Sequence, residues 1–199
     1  MKKELTPEEI EQNWRRFEGF LEKLGDRAAA AKDMCDVIGE RLAVCPASTR
    51  DSHHSAFPGG LVDHSLRVLA NALKITKAFG WELPKDSLII GCLFHDLGKV
   101  GDVENDYYVP QDSDWHRNKL GEFYKINEDL EFMTVPDRGV FLCQHFGLKL
   151  TRPEMLAIIL NDGQYADDNR PYRMKEPMLA DVVHIADVIA TKQEKGDLP

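Results

Sequence analysis

Cysteine is scarce and scattered. The four thiols, Cys35, Cys45, Cys92 and Cys143, form no C-x-x-C pair, so free buried thiols in a reducing compartment are expected. No apolar stretch is long enough to span a membrane. The opening segment MKKELTPEEIEQNWRR lacks the apolar core of a signal peptide; the expectation is a cytoplasmic protein. Positive charge is in deficit, with 25 Lys and Arg against 34 Asp and Glu, a net charge of −9. Affinity for nucleic-acid backbones comes from Lys and Arg, so a binder of long nucleic acid is disfavoured. Strand-like alternation of useful length, internal repeats and low-complexity tracts are also missing.

What remains reads as helix after helix in a chain of 199 residues, long enough for one domain with a sizeable core. Thr6-Pro7-Glu8-Glu9 is a capping box with proline at the first helical position. The helix it opens carries Ile10, Trp14, Phe17, Leu21 and Leu24, and Gly25 is expected to close it. Asp26 should start a second helix, with Met34, Val37, Ile38 and Leu42 on one face, ending near Cys45-Pro46. A polar loop, PASTRDSHHSAFPGG, covers 46–60. A third helix follows from Leu61 through Phe79 to Gly80. SLIIGCLFHDLG is apolar nearly all round and should lie in the middle of the fold. Residues 99–118 read as a long loop, and long loops in compact domains are often functional. Further helices are expected near 119–128, at 137–147, after the capping box Thr151-Arg152-Pro153-Glu154, and from Pro177, the last fraying into a charged tail after Gln193. The fold class is all-α.

Three positions carry unusual chemistry. His64 lies about one turn into its helix. His95 and Asp96 end the apolar helix side by side. Asp187 interrupts the apolar run VVHIADVIAT, where a buried carboxylate needs a partner: a lysine, an arginine or a metal ion. Lys99 follows one turn after Asp96, with Gly98 between as a left-handed cap; a lysine here also balances the helix dipole. Gly59-Gly60 would let the backbone turn tightly before His64.

The pattern H…HD…D, with His95-Asp96 followed by Leu97-Gly98-Lys99 and the last aspartate in an Ala-Asp pair, resembles the HD-domain metal-dependent phosphohydrolase superfamily. The segment PASTR…HHSAFPGGLVDHSLRVL is similar to the lead-in of one branch, which includes small bacterial and phage HD proteins and the HD part of certain 3′–5′ exoribonucleases. The resemblance implies a single-domain helical bundle, with residues 46–193 as the HD domain and 1–45 as N-terminal helices of the same domain or a small lobe. It implies metal ligation by His64, His95, Asp96 and Asp187. That mixed N/O set suits Mn²⁺, Fe²⁺, Co²⁺, Ni²⁺ or Zn²⁺ and also accepts Mg²⁺. It implies a catalytic part for Asp96 and, through neutralisation of a phosphate oxygen, for Lys99.

The chain departs from two-metal members. Glu122 in KLGEFYK, and Asn161-Asp162 in IILNDGQY, stand where histidines are usual. Glu122 or Asp162 could serve a second hard cation; one tightly held ion is the simpler expectation. His145 is a candidate for acid–base work, with a core histidine as the ordinary alternative. His54, Arg50, Asp162 and Lys99 are candidate substrate contacts, and Arg170 and Arg173 are further loop arginines able to grip phosphate. His184, three residues before Asp187, is expected to pack.

The function these readings support is hydrolysis of a phosphoester or phosphoanhydride in a nucleotide or short oligonucleotide. The alternatives are a 3′–5′ exonuclease-like phosphodiesterase, disfavoured because nothing reads as an accompanying OB-fold, and a non-catalytic metal- and nucleotide-binding module. A small phosphorylated partner is expected; a homo-oligomer stays open.

Overall fold

A computed structural model describes residues 4–198. Residues 1–3, the start of the segment read as lacking a signal core, and residue 199 lie outside the described residues. Eight α-helices are present among the described residues: α1 (Pro7–Leu21), α2 (Ala28–Val44), α3 (Gly60–Phe79), α4 (Lys85–Phe94), α5 (Asp114–Leu120), α6 (Val135–His145), α7 (Arg152–Ile159) and α8 (Met178–Lys195). The fold is all-α apart from one small ribbon.

Both capping boxes form. Thr6 Oγ1 accepts from the Glu9 amide at 3.2 Å while the Glu9 carboxylate accepts from the Thr6 amide at 2.9 Å. Thr151 and Glu154 repeat the exchange at the start of α7. α4 has no polar face between Ser87 and Phe94, all of which are buried, and it sits at the centre with α3, α7 and α8 packed around it. A helix without a polar stripe has no surface it can give to water. Phe17, Leu21, Met34, Ile38 and Leu42 from α1 and α2 join the same core as α3, α4, α6, α7 and α8.

Several boundaries differ from the expectations. α1 ends at Leu21, not at Gly25. Gly25 instead opens a short 3-10 turn, Gly25–Arg27, and α2 begins at Ala28. Val37 and Phe79 are exposed rather than on the buried faces; Phe79 stacks on Trp81. α6 starts earlier than expected, because Thr134 caps it by accepting from the Asp137 amide.

The expected helix near 119–128 is absent. Ser113 caps α5, and Gly121 ends it in the left-handed region. Tyr124–Ile126 then forms β2, paired antiparallel with β1, Tyr108–Pro110. Three-residue strands are too short to show alternation. Pro110 lacks an amide hydrogen, which restricts it to an edge. Part of the predicted long loop at 99–118 is thus strand and helix. No helix of the described residues is long and apolar enough to cross a membrane. The cysteines are free; Cys45, Cys92 and Cys143 are buried and Cys35 is half-buried. Burial pushes their thiols up, to about 12 for Cys35 and Cys143.

Candidate metal centre

The approach to α3 is set by two glycines. Gly59 takes φ +81°, and a Cβ on Gly60 would lie 2.1 Å from the Ser55 carbonyl oxygen. This tight entry delivers His64 into the core on the second turn of α3, fully buried. Its Nε2 lies 3.0 Å from Asp187 Oδ1, and its Nδ1 lies 3.0 Å from Glu194 Oε1. Both carboxylates come from α8, seven residues apart, and so share one face over two turns.

His95 comes from the end of α4. Its Nδ1 is 2.8 Å from the Cys92 carbonyl oxygen. A carbonyl only accepts, so Nδ1 carries the proton and Nε2 is left with a lone pair. That Nε2 lies 3.3 Å from His64 Nε2 and 3.4 Å from Asp96 Oδ2. Asp96 Oδ2 also accepts from Lys99 Nζ at 2.6 Å. The His95 carbonyl is tied by Asn161 Nδ2 at 2.7 Å, and the Asn161 carbonyl accepts from His184 Nδ1 at 2.7 Å. Asn161 thereby locks the end of α4 to α8, and His184 serves that packing.

The 3-10 turn Leu97–Val100 carries Lys99. Gly98 is not the left-handed cap expected from sequence. A Cβ there would stand 2.0 Å from the Val135 carbonyl oxygen, so glycine permits the close approach of α6.

The electrostatics favour positive charge at this point. Burial draws the His64 imidazole down, but hydrogen bonds to Asp187 and Glu194 outweigh it and raise its pKa to about 10. Burial pushes Asp96 up, yet the charges of Lys99 and His95 hold it well below the usual carboxylate range. Asp187 is likewise lowered against its burial, chiefly by the His64 hydrogen bond. Lys99 is raised, the Asp96 charge overcoming desolvation.

The donor set fits a divalent cation. One ligand atom each from His64, His95 and Asp187 lie within 4.8 Å of one another, with Asp96 beside His95. Two Nε2 atoms facing each other at 3.3 Å, each backed by an acceptor at its Nδ1, suit a shared proton on His64 or a metal ion that replaces it. A second group, His54, His64 and Glu194, has the same closeness.

The remaining candidates divide. The His54 ring stands 4.6 Å from the His64 ring, and its buried Nε2 has no hydrogen-bond partner. Burial first, then the His64 charge, lowers its pKa to about 4. Asp162 is exposed at the mouth, where partial burial and the charge of Asp96 raise its carboxyl. Glu122 is not brought to the cluster: it bridges to Arg50, whose Nη2 lies 3.3 Å from its Oε2. Neither Glu122 nor Asp162 belongs to a close group of three such donors among the described residues. His145 is exposed on the last turn of α6 against Phe141 and Phe146. It lines a separate surface cavity with Asp102 and Arg138, none of the cluster residues among its lining.

Sequence reasoning missed Glu194 and the clamp made by Asn161. Glu194 lies in the stretch read as a fraying tail, whereas α8 runs to Lys195. Its spacing of seven from Asp187 was the available signal.

The HD domain family model matches residues 61–192, well over half of the chain. The chain therefore belongs to the HD-domain metal-dependent phosphohydrolase superfamily. No curated protein and no solved structure matches it significantly.

Proposed function

We propose that this HD domain hydrolyses a phosphoester or phosphoanhydride bond of a nucleotide or short oligonucleotide. The observation that carries the reading is the convergence of His64, His95 and Asp187 on one point, with the Asp96–Lys99 pair alongside. In this reading His64, His95, Asp96 and Asp187 hold the divalent ion. When bound, such an ion supplies a Lewis acid for the phosphoryl group and lowers the pKa of water. Lys99 offers a fixed cation at the edge of the cluster, where charge on a phosphoryl oxygen builds up. His54, buried and unpartnered at Nε2 and kept neutral, would meet substrate from the preceding loop. Asp162 at the mouth favours a metal-complexed substrate over a bare polyanion. The acidic net charge supports small substrates over long polymers.

The test is turnover of a nucleotide panel by the full chain with Mg²⁺, Mn²⁺, Co²⁺, Ni²⁺ or Zn²⁺, beside Asp96→Asn. Phosphate release that needs the metal and disappears in the variant is the expected result. A folded, metal-loaded protein that turns over no phosphate ester would point instead to a binding module.

A further inference from the structure

We infer that Glu194 is a positioning residue that holds the Nδ1 proton of His64 and so aims the Nε2 lone pair at the cation site. The inference rests on reading the cluster as a cation site. It concerns a residue beyond the family match, which ends at 192.

Glu194 sits at an energetically poor place. Its side chain is only 5% exposed, and its Oε2 is buried with no hydrogen-bond partner. It occupies the last turn of α8, where the negative end of the helix dipole disfavours a carboxylate. The nearest guanidinium nitrogen, Arg67 Nε, is 4.0 Å away and is committed to Asp63 at 2.8 Å. A buried carboxylate with an orphaned oxygen calls for an explanation. Among the described residues its shortest contact with a titratable group is His64 Nδ1, at 3.0 Å, with His54 in the same close group of donors.

A carboxylate can only accept, so His64 donates Nδ1–H to Glu194. Its Nε2 is then the atom left facing Asp187 and His95. A charged acceptor behind an imidazole also makes the opposite nitrogen a stronger donor. His95 is backed by the neutral Cys92 carbonyl instead. The two imidazoles are thus unequal, and His64 is the stronger ligand of the pair.

Full-length Glu194→Ala and Glu194→Gln are compared with wild type by Zn²⁺ calorimetry and by NMR with ¹⁵N-labelled histidine. The expected result is affinity about 10- to 100-fold weaker for Ala, with Gln between. The Zn²⁺-loaded wild type should show His64 protonated at Nδ1 and ligated at Nε2. Glu194→Ala should lose the low-field Nδ1 proton of His64 but keep that of His95. Melting of the metal-free protein should be unchanged or raised, which separates positioning from general damage. Unchanged Zn²⁺ affinity and an unchanged His64 Nδ1 proton in Glu194→Ala would overturn the inference. If the wild type bound no divalent cation, the proposed function would fall. The loss or retention of that proton in the metal-free variant would still decide the role of Glu194.

Discussion

The Nε2 atoms of His64 and His95 lie 3.3 Å apart across the α3–α4 packing, with Asp187 Oδ1 3.0 Å from the first. Each ring is fixed from behind, by Glu194 and by the Cys92 carbonyl. A bound ion should therefore stabilise the fold by mass action, about 2.7 kcal/mol at a hundredfold excess over Kd. For a chain of this size that corresponds to a melting rise of about 5–10 °C. Mn²⁺ or Zn²⁺ should produce the rise in wild type, a chelator should remove it, and Asp187→Ala should lose most of it. An equal rise in Asp187→Ala would mean that the ion binds elsewhere.

Lys99 and Asp96 form a nearly buried pair at 2.6 Å. With Lys99→Met, hydrolysis should fall about 10²- to 10³-fold, the usual loss for one electrostatic stabiliser of the transition state. Metal affinity should hold or rise, because Asp96 loses its competitor. Calorimetry beside steady-state kinetics checks both halves. A parallel loss of metal binding would recast Lys99 as structural support.

Much of the helical fold is legible in the sequence. α1 and α7 begin where their prolines and caps place them, since those signals are local hydrogen bonds; α8 begins just after Pro177 without a side-chain cap. The buried α4 announced itself by having no polar face. Asp187 is legible as a carboxylate inside an apolar helix and His95-Asp96 as polar groups at the end of one, whereas Lys99 is singled out by the family resemblance. What escaped was tertiary or very short. Gly98 was read as a cap, but its reason is the Val135 carbonyl on another helix. The Cys92 carbonyl behind His95 is backbone, and no residue type encodes it. Tyr108–Pro110 pairs with Tyr124–Ile126 over three residues, below the length at which alternation can be seen.

A buried charge outside the cluster, Glu154, should contribute to acid stability. Glu154 is fully buried, 2.7 Å from Arg27 Nη1 and 2.7 Å from Ser87 Oγ. Burial raises its carboxyl, but the Arg27 hydrogen bond and its neighbours leave it below the usual value. A carboxyl depressed on folding contributes stability above its unfolded pKa, about 4.3, and loses it as pH falls through the lower folded value. Arg27 keeps Asp86 at 2.7 Å, so Glu154→Gln should cost about 1–3 kcal/mol near neutrality, the loss of a charged hydrogen-bond partner. In chemical denaturation the gap between wild type and variant should hold above the unfolded pKa and narrow as pH falls below about 4.3. A gap independent of pH would show that the lost interaction is not ionic.

Gly98→Ala tests how the turn that carries Lys99 is held. The new Cβ would meet the Val135 carbonyl oxygen at 2.0 Å, its carbonyl carbon at 2.9 Å and the Gly139 amide nitrogen at 3.0 Å. All three are backbone atoms, so no side chain can swing aside. Either α6 retreats or the 3-10 turn moves, and Arg138 loses its 3.4 Å bond to the Gly98 carbonyl. Overpacking of this kind costs about 1–3 kcal/mol, read as a lower denaturant midpoint. Because the turn moves with Lys99, kcat should fall further than metal affinity does. His95 is anchored independently through Cys92 and Asn161, so the ion should still bind. If Gly98→Ala kept wild-type stability and turnover, the close approach of α6 would not be what positions Lys99.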